Sequence, residues 1–330
     1  MSALADSDRI KIDSWLSERE ERALPRDVRS GLTGDFKELP PKHFYDSRGS
    51  ELFEQICELP EYYPTRTELA ILTAQADRIV EQTGAGELVE LGAGASVKAR
   101  LLLDAMERAG TLERYVPLDV SERVVREAAQ ELVRDYDELH VHGVVGDFER
   151  HLPQVPSRNG TPRLVALLGG TIGNFKPEPR RELLAAIADM LKPEDRLLLG
   201  TDLVKEPAVL EAAYDDSAGV TAEFNRNVLH VINRELGADF PVREFDHVAF
   251  FDHDNEWIEM RLRAQRAMTV EVPGAGVTIE FEHGEEMRTE ISAKFTQDRL
   301  NADLAAAGLA LDTSFVDDDG LFALSLIRLA

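Results

Sequence analysis

The segment Glu87-Leu88-Val89-Glu90-Leu91-Gly92-Ala93-Gly94-Ala95-Ser96 decides the fold. A short strand-like run enters a turn holding two glycines, and helical spacing follows at once. Val97, Leu101, Leu102, Ala105 and Ala109 share one helical face, and Gly110 ends it. Upstream, Leu69, Leu72, Ala76 and Ile79 repeat at helical spacing behind Pro64, and Thr65 with Glu68 reads as a T-x-x-E capping box. Downstream, strands are predicted over 114–120, 139–148, 162–170 and 195–204. Between them run helices carrying Val125, Ala128, Leu132 and Tyr136, then Leu184, Ile187 and Leu191 behind Pro177. Strands alternating with helices predict a parallel sheet covered on both faces. The near-continuous apolar character of 87–91, 162–170 and 195–204 fits such burial.

After Val204 the pattern changes. Two helical stretches, 206–218 and 219–236, precede period-two segments at 247–253, 256–263, 266–272, 276–282 and 286–295. Ile258, Met260 and Leu262 share one face of their strand; Trp257, Glu259, Arg261 and Arg263 share the other. The chain then returns to a helix, 296–308, and two strands, 310–316 and 321–329. The expected fold class is α/β: a doubly wound, Rossmann-like domain of residues 65–204 plus 294–330. A second, α+β domain is expected from residues 1–64 plus 205–293.

Composition narrows the function classes. Hydrophobic residues make up 43% of 330, enough for a large core. A formal net charge of −25 repels phosphate backbones, so no nucleic-acid partner is expected. No apolar run reaches the ~18 residues of a membrane span, and the N-terminus lacks the pattern of a signal peptide. Cys57, as a lone cysteine, can form neither an internal disulfide nor a cysteine-based metal site, which fits a cytoplasmic setting.

Gly92-Ala93-Gly94 falls at the carboxyl end of a strand, where open α/β sheets bind ligands. A dinucleotide fingerprint needs a third glycine where this chain has Val97. Asp119 ends the next strand, where a carboxylate can accept both hydroxyls of a ribose, each bond contributing about 1.5–3 kcal/mol. Asp147 ends the third, beside Phe148: a carboxylate for an exocyclic amine and a ring to pack on adenine. E-x-G-x-G with these acids suits S-adenosylmethionine better than NAD. Lys98 is placed to grip the methionine carboxylate. Asp119 and Asp147 also read as helix caps, and Lys98 as a solvated side chain.

Longer strings carry more. PKHFYDSRGSELFEQICELPEYYPTRTE (41–68), ELGAGASVKARLLL (90–103), LLGGTIGNF (167–175), GTDLVKEPAVLEAAYDD (200–216), FNRNVLHVINRELGADF (224–240) and GEEMRTEISAKF (284–295) together resemble the histidine-specific Nα-methyltransferases of ergothioneine biosynthesis. This bacterial and fungal family converts L-histidine to Nα-trimethylhistidine (hercynine). The resemblance runs from about residue 37 to the end. It implies a methyltransferase domain using S-adenosyl-L-methionine, L-histidine as substrate, and a cytoplasmic monomer with no nucleic-acid or membrane partner. Carried over by position, Tyr45, Gly92, Lys98, Asp119, Asp147 and Phe148 hold the cofactor. Tyr62, Gly169, Asn174 and Tyr214 hold the amino-acid end of histidine, and Glu290 with Ser292 holds the imidazole. Asn174 and Tyr45 are the catalytic candidates. Gly169-Gly170, Ala95 and Val97 are modest departures from the family pattern.

Chemistry supports that transfer. Glu290 and Ser292 stand two apart on a predicted strand, so both face one way, with Met287, Ile291 and Ala293 expected on the other. A carboxylate can accept one imidazole N–H, and a serine hydroxyl can donate to or accept from the other nitrogen. Glu290 also reads as an ion-pair partner of Arg288 or Lys294, Asn174 as a turn or capping residue before Pro177, and the tyrosines as core aromatics. His140 and His142 lack a third metal ligand, and neither a G-x-S-x-G elbow nor a P-loop is present. A related methyltransferase for another amine, such as tryptophan, and a non-enzymatic S-adenosylmethionine sensor are the competing readings.

Overall fold

The computed structural model describes residues 8–16, 23–94, 96–157 and 160–330; Ala95, in the glycine turn, and Met1–Ser7 lie outside the described residues. The chain opens with β1 (Ile10–Ser14), α1 (Ala23–Leu32), β2 (Lys37–Glu38), a 3-10 turn (Pro41–Phe44), α2 (Ser47–Glu58) and α3 (Tyr63–Thr83). The alternating part follows: β3 (Glu87–Leu91), α4 (Val97–Ala109), β4 (Arg114–Asp119), α5 (Glu122–Asp135), β5 (His140–Val145) and the single turn α6 (Phe148–His151). Then come β6 (Arg163–Leu167), a 3-10 turn (Thr171–Asn174), α7 (Pro177–Met190) and β7 (Arg196–Asp202). Next are α8 (Pro207–Tyr214), α9 (Val220–Leu236), β8 (Phe245–Asp252), β9 (Trp257–Ala264), β10 (Met268–Val272), β11 (Val277–Phe281) and β12 (Glu286–Ala293). The chain ends with α10 (Gln297–Ala306), β13 (Leu309–Val316) and β14 (Phe322–Leu329).

The large sheet has eight strands in the order β1-β5-β4-β3-β6-β7-β14-β13. The strands from β1 to β7 run parallel; β14 is antiparallel to β7, and β13 to β14. Strand order reverses between β3 and β6, which opens a crevice at their carboxyl ends. Both faces are covered, as the apolar strands required. Leu88, Leu164 and Leu198 enter one core; Val89, Leu91, Val165, Leu197 and Leu199 enter the other. A separate core unites Val28 and Phe44 with Leu210, Leu229, Ile258, Met260, Leu262 and Met287. It lies against a four-stranded sheet, β2-β12-β9-β8, with β10 and β11 forming a hairpin beside it.

Three expectations are corrected. Residues 10–14 were expected in the second domain, yet β1 forms the edge of the large sheet. Ile12 lies opposite Gly143, where an added Cβ would sit 2.3 Å from Val125 and 3.3 Å from Ile12, so the missing side chain is what lets α5 pack closely over β5. Arg9 fastens it by donating to the carbonyls of Val133, Tyr136 and Asp137 at the end of α5. Second, α3 begins at Tyr63 with Pro64 in its first turn, so Thr65 and Glu68 lie inside it and form no capping box. Thr65 donates to Cys57 Sγ at 3.3 Å instead, and Glu68 is wholly buried. Third, β12 carries a bulge between Arg288 and Glu290. Met287 pairs with Leu262, Glu290 with Met260 and Ser292 with Ile258, so all three β12 residues share one face. Without the bulge, Met287 and Glu290 would face opposite sides, as sequence parity predicts.

Candidate active site

The carboxyl ends of β3, β4, β5 and β6 border the crevice. Gly92 stands at φ +80° and donates to the Leu118 carbonyl at 2.8 Å, a conformation that favours glycine. An added Cβ there would lie 3.9 Å from the Phe148 ring, so turn and ring line the same space. Asp119 accepts from Ser121 N–H at 2.9 Å and Gly94 N–H at 3.3 Å, tying the end of β4 to the glycine turn. Burial pushes its pKa up against these backbone bonds. It does not cap α5; Ser121 does, at 3.4 Å. Asp147 does cap α6, accepting from Glu149 N–H at 3.0 Å through Oδ1, and Oδ2 has no partner among the described residues. Phe148 meets Phe175 edge-on at 6.3 Å. Beneath the turn, Glu90 accepts from the Tyr115 hydroxyl, and burial raises its pKa to about 8.

Lys98 makes a contact that sequence reasoning missed: it pairs with Glu68. The Glu68 carboxylate also accepts Gly169 N–H at 2.8 and 2.9 Å. Gly169 stands at φ +77°, and a Cβ there would come 3.3 Å from Lys98 Nζ. Two helices, α3 and α4, and the loop after β6 therefore meet at one carboxylate. The signal was a glutamate four residues before Leu72, on the buried face of α3. Gly200 makes room for it, since an added Cβ would lie 2.2 Å from Glu68 Oε1. Gly200→Ala is expected to cost about 1–3 kcal/mol by overpacking; a lowered melting temperature checks this, and an unchanged one contradicts the close packing.

The second group of candidates gathers across the crevice. Tyr62 and Tyr214 are both buried, with rings 6.2 Å apart and nearly perpendicular. Burial pushes both phenols up, so they stay neutral at ordinary pH. Tyr45 is half exposed and packs edge-on against Phe53 and Phe224, each at 5.6 Å. Its electrostatic neighbours are Glu290, Cys57 and Tyr214, which belong to the acceptor group. Tyr214 donates to Ser292 Oγ at 2.7 Å. Glu290 is half-buried and has no hydrogen bond or ion pair among the described residues. Burial raises its pKa to about 7, against the pull of Lys294. The ion-pair alternatives are not realised: Arg288 binds Glu38 and Glu259, and Lys294 binds Asp202.

Lys294 was missed as part of this group. It is fully buried, 2.8 Å from Asp202 and 2.9 Å from Ser292 Oγ. Asp202 also accepts from Tyr63 at 2.8 Å and Lys205 at 2.6 Å. Burial opposes the Asp202 charge, but Lys294 and Lys205 hold its carboxyl below the usual range. A lysine between Ala293 and Phe295, both buried, was the available signal.

Asn174 closes the 3-10 turn after β6. A Cβ on its neighbour Gly173 would lie 2.8 Å from the Ala293 carbonyl, so the turn is pressed onto β12. Asn174 does not cap α7, whose N-cap is Lys176 without a side-chain bond. The crevice at the switch point thus adjoins a pocket wall of neutral hydroxyls and one unpaired carboxyl. Such a wall can orient a polar small molecule, and the crevice residues offer a carboxylate, a ring and turn N–H groups to a nucleoside.

Comparison with known proteins agrees with this arrangement. A family model described as histidine-specific methyltransferase, S-adenosylmethionine-dependent, matches residues 24–329. The histidine N-alpha-methyltransferase of Mycolicibacterium smegmatis is 52% identical over 304 residues, covering 92% of this chain and 94% of that protein. Ergothioneine biosynthesis protein 1 of Schizosaccharomyces pombe is 32% identical over 71% of this chain and 31% of its own length. The 4-dimethylallyltryptophan N-methyltransferase of Claviceps purpurea is 30% identical over 60% of each chain. With a match that spans residues 24–329 and so every candidate site residue, the chain belongs to the family of histidine-specific, S-adenosylmethionine-dependent methyltransferases.

Proposed function

We propose that this enzyme methylates the α-amino nitrogen of L-histidine three times, giving Nα-trimethylhistidine. The observation that carries the acceptor assignment is Glu290: a half-buried carboxyl with no described partner, on one face of β12 with Ser292. A buried polar group without a partner is costly, and an imidazole N–H supplies one.

The crevice residues fit the cofactor. Asp119 would hold the ribose hydroxyls, Asp147 the adenine amino group through its open Oδ2, and Phe148 the ring face. Gly92 lets the backbone approach, and Lys98, kept in place by Glu68, stands at the methionine end. S-adenosylmethionine supplies an electrophilic methyl on a sulfonium. The protein forms no covalent bond to it; its contribution is to hold two reactants in line. Asn174 and Tyr45 would orient the amine, and Tyr62 the amino-acid end. The amine must be neutral to attack. Because burial keeps Tyr62 and Tyr214 protonated, a tyrosine here serves as a hydrogen-bonding relay and not as an anionic base.

An acceptor panel tests the assignment. A site built to pair ring nitrogens rejects analogues lacking them by about 10⁴–10⁵ in kcat/KM. Histidine is therefore expected to exceed phenylalanine and 2-thienylalanine by that order. Tryptophan should also be poor, because an indole offers one N–H and leaves Ser292 unpaired. Equal rates with histidine and tryptophan would assign the pocket to aromatic amines generally.

A further inference from the structure

Lys294 lies just past the end of β12, and its Nζ faces three oxygens. These are Asp202 Oδ2 at 2.8 Å, Ser292 Oγ at 2.9 Å and the Tyr214 hydroxyl at 3.1 Å. An ammonium has three N–H donors and no acceptor, so all three are engaged and neither hydroxyl can donate back to it. Ser292 and Tyr214 stand 2.7 Å apart, so one O–H lies between them. The phenol is the stronger acid and the serine oxygen the better acceptor, so Tyr214 donates. Ser292 Oγ then accepts twice, from Lys294 and from Tyr214, which fills both lone pairs. All it can offer a ligand is its own O–H.

We infer that Lys294 is a positioning residue that turns Ser292 into an obligate donor, so that the site takes the acceptor's imidazole only as the neutral tautomer whose N–H faces Glu290. This deepens the histidine assignment and rests on it. A neutral ring with its lone pair toward Ser292 and its N–H toward Glu290 satisfies every group. An imidazolium, or the other tautomer, presents an N–H to a hydroxyl with no lone pair left. The titratable groups facing this pocket are Tyr45, Cys57 and Tyr62 from the N-terminal segment, Asp202 from β7, Tyr214 from α8, and Glu290 and Lys294. Asp202 pairs with Lys294 and with Lys205, and Glu290 has no ion-pair partner among the described residues.

The test is the ¹⁵N spectrum of ring-labelled L-histidine bound with S-adenosylhomocysteine, from about pH 6 to about pH 8, a range spanning the free ring's pKa near 6.5. The bound ring is expected to show one protonated and one bare nitrogen, unchanged throughout. Two N–H signals, or averaged tautomers, overturn the inference. No bound histidine at all overturns the histidine assignment beneath it. In Lys294→Met, Ser292 regains a lone pair, so the bound ring should mix tautomers or gain a proton toward pH 6, with histidine bound roughly tenfold more weakly. Asp202 keeps Lys205 and Tyr63 as partners there, and S-adenosylhomocysteine binding reports whether the variant is folded. Tyr214→Phe frees the same oxygen without disturbing the Lys294–Asp202 pair, and it decides the question should Lys294→Met fail to fold. A single unchanged tautomer in the folded variant contradicts the role given to Lys294.

Discussion

Asp119→Ala is expected to weaken S-adenosylmethionine binding by roughly 10²–10⁴-fold, the largest single loss in the molecule. Two charge-assisted bonds to a ribose contribute about 3–6 kcal/mol together, and each 1.4 kcal/mol is tenfold. Asp119 does a second job, because its carboxylate also accepts from Gly94 and Ser121 and so holds the glycine turn against β4. Asp119→Asn loses the charge and keeps one acceptor oxygen, so it holds Ser121 or Gly94 but not both. Calorimetric titration of both variants checks this. Histidine binding, measured in the presence of saturating S-adenosylhomocysteine, should change far less. A cofactor affinity within about threefold of wild type in Asp119→Ala would remove Asp119 from the site.

Glu290→Ala is expected to lower kcat/KM for histidine by roughly 10–150-fold, the loss of one charge-assisted bond. The same carboxyl sets two opposite pH trends. Its pKa stands at about 7, raised by burial. Below that value it is protonated and cannot accept the imidazole N–H, so kcat/KM for histidine falls as pH drops through about 7. Stability runs the other way. A carboxyl with a folded pKa above its unfolded value, about 4.3, binds more protons when folded. Its ionisation therefore costs stability progressively as pH rises from about 4.3 to about 7, and the loss is complete above that. Glu290→Gln has no charge to desolvate. It should melt roughly 2–4 °C above wild type near pH 8, with the gap closing near pH 4.5. A variant that is no more stable at the higher pH would show that Glu290 is better solvated than its surroundings indicate.

Most of the architecture was legible because the alternation of apolar strands and amphipathic helices is dense from Thr65 to Val204. The ligand-binding edge at the carboxyl end of β3 followed from the glycine turn itself. What escaped had local causes. β1 is a five-residue strand, and its neighbour β5 carries Gly143, whose absent side chain leaves room for Val125 of α5. Sequence parity put Met287 opposite Glu290; a bulge, which leaves no periodic trace, put them together. Glu68 reads as a helix cap and Lys294 as an ion-pair partner of Glu290, because a charged residue near a helix start or a strand end usually meets solvent or an exposed partner. Here the first supports Lys98 and Gly169, and the second supports Ser292. The long strings around Tyr62, Asn174, Tyr214 and Glu290 pointed to a shared pocket, yet not to which hydroxyl bonds which. That depends on distances across three elements far apart in sequence.

Mass spectrometry of purified protein incubated with S-adenosylmethionine and L-histidine, with histamine and tryptophan in parallel, reads the reaction itself. Mono-, di- and trimethylated histidine are expected in succession, with histamine inert because it lacks the carboxylate end. Histidine left unmodified while another amine is methylated would keep the fold and the cofactor crevice but contradict the role of Glu290 and Ser292. Cofactor binding without methylation of any acceptor would make the protein a sensor instead of an enzyme.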